Sequence, residues 1–271
     1  MNGTPGLTWK EWLVYLGQRL RRRPAEMQRL HGLLRLPRHQ PGGLRWRGRA
    51  LRYADGPSLF YQLQDIYARR CYDFTCATPA PRILDVGGNI GLAVWRLREL
   101  HPRAQITTFE PDPALVGVLR ANLAAIDDRQ TEVVSAAAWC ANGEQAFRAT
   151  GDDSGCLEAS GLVRVPTVDL AEYCTRPVDF LKLDIEGAEL PVLEHLAAVG
   201  ALARLRRIFV EIHGWGEAPP PLPHVLVLLD QARFNWRISG AACLGPAPQP
   251  AGFAAVAHPA NLVTLHAWQP N

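Results

Sequence analysis

No stretch of eighteen apolar residues occurs in the 271-residue sequence, so no segment is long enough to cross a bilayer as a helix. The opening Met1-Asn-Gly-Thr-Pro5 lacks the basic-then-apolar order of a secretion signal, and a cytoplasmic location is expected. The six cysteines, Cys71, Cys76, Cys140, Cys156, Cys174 and Cys243, have no C-x-x-C spacing. That argues against a zinc site or a disulfide framework and leaves them as free thiols that pack. No internal repeat is present, which argues against a solenoid. Disorder is excluded as well, because 48% hydrophobic and 20% charged residues suffice for one globular core.

Charge is plentiful but uneven. Residues 1–52 hold Lys10 and eleven arginines against Glu11 and Glu26, a net of +10, while the remaining seventeen basic and twenty-four acidic residues leave −7. Such an arm can meet an anionic partner: a phosphorylated substrate, nucleic acid or a membrane surface. The preferred expectation is plainer, a solvated face or a face docked on the acidic body, with no nucleic-acid partner. Thr8-Trp-Lys-Glu11 reads as a capping box opening a helix whose Trp12, Leu13, Leu16 and Leu20 share one side until Arg23-Pro24. A hairpin turning at Gly48 and a helix over residues 58–70 follow.

Ile83-Leu-Asp-Val-Gly-Gly-Asn-Ile-Gly91 reads as a strand buried on both faces that turns into a helix, with Glu110 ending the next apolar run about twenty residues on. An acid at that second strand tip suits the two ribose hydroxyls of a nucleoside. The turn is not G-x-G-x-x-G, and Asp85 two residues before Gly87 would repel a pyrophosphate. A cofactor carrying a sulfonium and an α-amino group fits better, which points to S-adenosylmethionine. Gly87, Gly88 and Gly91 would let the backbone approach it.

From Pro81 onward strands and helices alternate: strand 83–87, helix 90–100, strand 105–110, helix 113–125 and strand 131–137. A polar segment over 141–155 resembles an inserted hairpin. Strand 178–183, helix 187–198, strand 207–212, helix 222–232 and strands 235–239 and 262–268 complete the series, with 240–259 a Gly/Pro/Ala-rich loop. The expectation is a doubly wound, mostly parallel α/β sheet of seven strands over residues 76–271. A basic, mainly helical extension over 1–75 precedes it, serving as substrate lid or as contact in a homo-oligomer.

Asp179-Phe-Leu-Lys182-Leu-Asp184-Ile-Glu186-Gly187 is the second chemical cluster. Strand alternation turns Lys182 and Asp184 one way and Leu181, Leu183 and Ile185 the other, and Glu211 and His213 repeat the pattern on the fifth strand. In an open α/β sheet such strand ends line the ligand crevice. Lys182 can equally be an ion-pair partner, and Glu186 and Glu189 can complement the dipole of the next helix. Five ionisable groups on two adjacent strand ends exceed that need, so a functional cleft is favoured. Carboxylates also suit Mg²⁺, and Asp184 with Glu211 would be its holders.

Taken together, Leu84-Asp-Val-Gly-Gly-Asn-Ile-Gly91, Phe109-Glu-Pro-Asp-Pro113, Val178-Asp-Phe-Leu-Lys-Leu-Asp-Ile-Glu-Gly-Ala-Glu-Leu-Pro-Val-Leu193 and Val210-Glu-Ile-His213 resemble the FkbM family of S-adenosylmethionine-dependent methyltransferases. The likeness covers roughly residues 60–214, with Gly88 standing where many relatives have alanine. It implies a Rossmann-like class I methyltransferase fold whose seventh strand is antiparallel, and O-methylation of a sugar or polyketide-type small molecule. It places Asp85, Gly87, Asn89 and Gly91 at the methionine part, Glu110 at the ribose, and Pro111, Asp112, Ala137 and Ala138 around the adenine, with Trp139 either stacked on the ring or packed in the core. His213, whose ordinary pKa lies near neutrality, is the expected base, oriented or assisted by Asp184 or Glu186 with Lys182 keeping them ionised. A nicotinamide-dependent oxidoreductase and a non-catalytic binding module are the competing readings.

Overall fold

The structure is a computed structural model that describes residues 30–214, 220–243 and 261–270. The expected lead helix over 8–23 and most of the 240–259 loop lie outside the described residues. None of the described helices is long and apolar enough to cross a membrane.

The chain enters through a hairpin, β1 (Gly42–Trp46) and β2 (Arg49–Tyr53), whose turn at Arg47 and Gly48 has both residues at positive φ, 48° and 81°. That conformation suits the right-handed twist of a two-residue hairpin. Helix α1 (Gly56–Leu63) starts where Asp55 accepts the Ser58 amide at 2.9 Å with Pro57 in the first turn, and it runs on as a π-helix, Gln64–Arg69. The expected helix over 58–70 is therefore two helical forms in series.

Seven strands form the central sheet: β3 (Arg82–Val86), β4 (Gln105–Phe109), β5 (Glu132–Val134), β10 (Phe180–Leu183), β11 (Arg207–Gly214), β12 (Asn235–Cys243) and β13 (Asn261–Trp268). Their order is β12-β13-β11-β10-β3-β4-β5, and β13 runs antiparallel to both its neighbours. This is the doubly wound, Rossmann-like class I methyltransferase sheet that the sequence predicted. Helices α2 (Leu92–Leu100) and α3 (Pro113–Ala125) follow β3 and β4, and α4 (Glu189–Ala198) and α5 (Leu222–Gln231) follow β10 and β11.

Strand alternation divides the core in two. Ile83, Phe180 and Phe209 face Leu92, Trp95, Leu97 and Leu119, while Leu84, Val86, Leu181, Leu183, Val210 and Ile212 face Val192, Leu196, Val225 and Leu229. Trp46, Leu51, Leu59, Leu63, Ile66 and Tyr67 join the first cluster, so residues 30–75 share the core of the sheet.

Three expectations need correction. The strand read over 131–137 ends at Val134, and Ala137–Trp139 (β6) belongs to a second sheet, because an apolar run does not reveal where the chain changes partner. The inserted hairpin is a four-stranded sheet of order β6-β9-β7-β8, with β7 Gly143–Arg148, β8 Cys156–Leu157 and β9 Val163–Asp169. Pro166 inside β9 masked that strand, since proline usually argues against one. Finally, β12 continues to Cys243 past an irregularity between Ile238 and Gly240, so residues 240–243 are strand.

Candidate active site

Asp85, Lys182 and Thr108 stand in register across β10, β3 and β4, near the carboxyl ends of the strands. Above them opens a cleft of about 1150 Å³, open solvent at its mouth included. Its floor holds Gly87, Gly88, Lys182 and Asp184, and its walls carry Glu110, Glu186 and Glu211.

The turn after β3 is shaped by packing within the protein. A Cβ on Gly87, whose φ is 90°, would lie 1.9 Å from the Asp184 carbonyl oxygen, and one on Gly88 would lie 2.2 Å from Thr108 Oγ1. These glycines were read as giving a ligand room; they line the cleft and also give the neighbouring strands room. Gly91, at φ 81°, precedes the first residue of α2 and does not line the cleft.

Glu110 sits where the sequence placed it. One carboxylate oxygen accepts the Asn89 amide at 2.7 Å and the other the Asp112 amide at 2.8 Å, which fixes the group between the turn and α3. Burial pushes its carboxyl up to about 7, with these two amides opposing. Pro111, Leu115, Ala137 and Ala138 make an apolar wall beside it, joined by Phe147 from the second sheet. Asp112 does not line that wall: its side chain caps α3 by accepting the Ala114 amide at 2.9 Å. Trp139 likewise packs against the second core cluster and not in the cleft.

Asp85 is fully buried beneath the floor and not at the ligand surface. Thr108 Oγ1 donates to it at 2.7 Å, and Lys182 Nζ lies 3.8 Å from its other oxygen. Lys182 also donates to the Gly87 carbonyl and lies 3.2 Å from Asp184. Burial pulls the lysine pKa down, but Asp184 and Asp85 outweigh it and raise the value, so the ammonium stays charged. It therefore ties the turn to both acids.

His213 requires the largest revision. Its ring is 4% exposed and lies behind the cleft, with Nδ1 2.9 Å from Glu189 Oε1 and Nε2 3.5 Å from Glu186 Oε1, 3.9 Å from Asp184 and 3.9 Å from Glu211. Burial lowers its pKa, but Glu189, Glu186 and Asp184 together raise it well above the ordinary value. Buried behind the cleft wall and not lining the cleft, the ring does not face the acceptor, so His213 does not stand where a free base would. Glu211, which lines the cleft, is pushed up to about 8 by burial and the neighbouring Asp184. The two residues expected to share Mg²⁺ are not the set that converges: among the described residues Asp184, Glu186 and His213 bring donor atoms within 4.8 Å of one another.

Several residues went unread. Glu189 was taken as a dipole partner of its helix, yet it also accepts the Ile185 amide at 3.0 Å and holds His213. Its signal was the spacing Glu186-Gly-Ala-Glu189, which returns an acid to the same strand end. Asp65, Ile66 and Tyr72 reach the cleft from the π-helix and its exit. Asp152 and Asp153 do so from the second sheet, and nothing local in the sequence shows that this loop folds back over the turn.

Residues 85–235 match the methyltransferase FkbM domain. Among characterised proteins, 2-O-methyltransferase NoeI of Sinorhizobium fredii is 28% identical over 158 residues, covering 49% of this chain and 63% of that protein. Methyltransferase sdnD of Sordaria araneosa is 28% identical over 172 residues, covering 48% of this chain and 66% of that one. The chain thus spans just under two thirds of the length of each. The solved structure of the methyltransferase FkbM from Methylobacillus flagellatus is 14% identical, with a TM-score of 0.47 over 95% of this chain and 58% of that one. With the domain match running from Asp85 to Asn235, more than half of the sequence, the chain belongs to the FkbM methyltransferase family.

Proposed function

We propose that the chain transfers a methyl group from S-adenosylmethionine to a hydroxyl of a small-molecule or sugar acceptor. The observation that carries the reading is the Glu110 carboxylate, held by two backbone amides at the tip of β4 and open to a cleft whose opposite wall is acidic. Each of its oxygens keeps a lone pair for a ribose hydroxyl. The apolar wall of Pro111, Leu115, Ala137 and Ala138 suits a flat adenine, and the acids opposite suit a sulfonium and an ammonium. The same acids oppose a pyrophosphate, which counts against the nicotinamide reading. NoeI's name as a 2-O-methyltransferase supports oxygen as the acceptor atom.

Bound there, the cofactor supplies the methyl group; the chain's residues align the acceptor with it and take up the hydroxyl proton. Glu211 is the acceptor of that proton in this reading, since its pKa near 8 matches a base that works close to neutrality. Lys182 holds the turn and pairs with Asp184 at 3.2 Å without itself contributing a proton. Calorimetric titration with S-adenosylmethionine and with NAD, followed by a methyl-transfer screen against mono- and disaccharides, tests the proposal. Micromolar binding of the first alone, with a methylated sugar detected by mass, is the expected result. Binding of NAD with no affinity for S-adenosylmethionine would sink it.

A further inference from the structure

We infer that Asp184, Glu186 and His213 form a binding site for one divalent transition-metal ion at the inner wall of the cleft, and that the ion takes the acceptor oxygen as an additional ligand. The role in the reaction rests on the methyl-transfer reading above; the binding of the ion does not. One donor atom from each of the three residues lies within 4.8 Å of the other two. With bonds of about 2.1 Å, neighbouring ligands of one ion stand roughly 3 to 3.5 Å apart and opposite ones roughly 4.2 Å, so side-chain movements of up to about 1 Å seat the ion.

The orientation of the histidine carries the inference beyond a cluster of acids. Nδ1 is pinned at 2.9 Å by Glu189, a carboxylate itself fixed by the Ile185 and Gly187 amides. That is how proteins set the tautomer and aim of a ligating imidazole. The buried Nε2 is thereby directed among Glu186, Asp184 and Glu211, but at 3.5–3.9 Å it makes no hydrogen bond with any of them. Glu186 Oε2 is buried too and finds no hydrogen-bond partner among the described residues. A buried carboxylate oxygen without a hydrogen bond, beside an imidazole nitrogen that faces three carboxylates without bonding any, is an arrangement that a cation satisfies.

The donor set selects the ion. An imidazole beside two carboxylates favours Mn²⁺, Fe²⁺, Co²⁺ or Zn²⁺ over Mg²⁺ or Ca²⁺, which prefer oxygen alone. Asp184 and Glu186 border the cleft, so coordination positions not filled by protein open toward the acceptor.

The test uses the full chain stripped of metal by chelator and titrated with Mn²⁺ alone, followed by calorimetry and by loss of the free-ion electron paramagnetic resonance signal. One Mn²⁺ per chain is expected. Asp184→Asn and Glu186→Gln should each weaken binding at least tenfold, and Glu189→Gln by about 10 to 100-fold through misorientation of the ring. Thermal unfolding checks that each variant is folded; Asp184, the most open of the three, serves if another fails. S-Adenosylmethionine affinity is measured on the same samples, so failure of the metal site leaves the cofactor reading independently judged. Absence of stoichiometric Mn²⁺ or Zn²⁺ uptake by the wild-type chain, or uptake unchanged in folded Asp184→Asn and Glu186→Gln, overturns the inference.

Discussion

Because burial holds the Glu110 carboxyl at about 7, roughly half of the chains carry it protonated at neutrality. The protonated form offers a poorer acceptor to ribose hydroxyls, so S-adenosylmethionine affinity should rise about tenfold between pH 6 and pH 8. The sign for stability is opposite. A carboxyl raised in the folded state favours folding at low pH, and that contribution is lost as pH climbs from the ordinary glutamate range through 7. Glu110→Gln should therefore flatten the affinity profile, weaken binding by about 1.5 to 3 kcal/mol at pH 8, and leave the cofactor-free chain at least as stable as wild type there. Calorimetry and thermal unfolding across pH check both halves; a variant whose affinity still climbs with pH would move the titration elsewhere. Gly88 gives a second expectation. A methyl group there meets Thr108 Oγ1, the hydroxyl that donates to buried Asp85, so Gly88→Ala should cost about 1 to 3 kcal/mol in chemical denaturation. Adding Thr108→Ala should recover only part, since it removes the clash but also Asp85's donor. At this scale much was legible: strand alternation placed Lys182 and Asp184 on one face, and the strand-tip rule placed Glu110. The anchoring of His213 was not, because it is made by Glu189, which the next helix brings to the ring.

At the scale of elements, the second sheet determines how the cleft is closed. The loop between β7 and β8 places Asp152 against the turn, where Asn89 Nδ2 donates to its carbonyl at 3.4 Å, and Asp153 against Ser58 Oγ at 2.8 Å. Arg38 reaches across from the chain before β1 to Asp152 at 2.6 Å and Asp55 at 3.1 Å. The loop is thus tied at once to the entry segment, to α1 and to the turn that cradles the proposed cofactor. With the arginine partly exposed, the pair is worth about 1 kcal/mol. Arg38→Ala should accordingly raise the dissociation constant for S-adenosylmethionine about fivefold, mainly through faster release in stopped-flow, with little loss of stability. An unchanged release rate would show that Ser58 and Asn89 suffice to hold the loop. The sheet order around β3, β4, β10 and β11 could be read from alternating apolar runs. This closure could not, because β9 carries Pro166 and its partners lie some twenty residues away in sequence.

For the whole molecule, the question is whether the basic extension is an appendage. The described part argues that it is not. Trp46 is 1% exposed, with its ring 5.1 Å from Tyr67, and the Arg47 guanidinium covers Tyr67 at 4.8 Å from the ring centre. Asn122 of α3 accepts the Arg52 amide at 2.8 Å and donates to the carbonyls of Arg52 and Ile90, joining hairpin, turn and helix through one buried side chain. Arg47 and Arg49 meet Glu99 and Asp127 of the body, so part of the basic charge is paired across to it. These exposed pairs contribute little; the aromatic burial contributes the stability. The extension and sheet should then unfold as one cooperative unit, with coincident transitions by far-ultraviolet circular dichroism and tryptophan fluorescence. Trp46→Ala should lower that single transition by about 3 to 5 kcal/mol, as for a large buried aromatic, and should not release a separately melting fragment. Replacing Arg47 and Arg49 together by glutamine should shift it by less than about 1 kcal/mol and reduce its dependence on salt. Two resolved transitions in the wild-type chain, or a Trp46 variant whose sheet melts unchanged while only the early signal is lost, would make the extension a separate unit, as the expected division at residues 75 and 76 would have it.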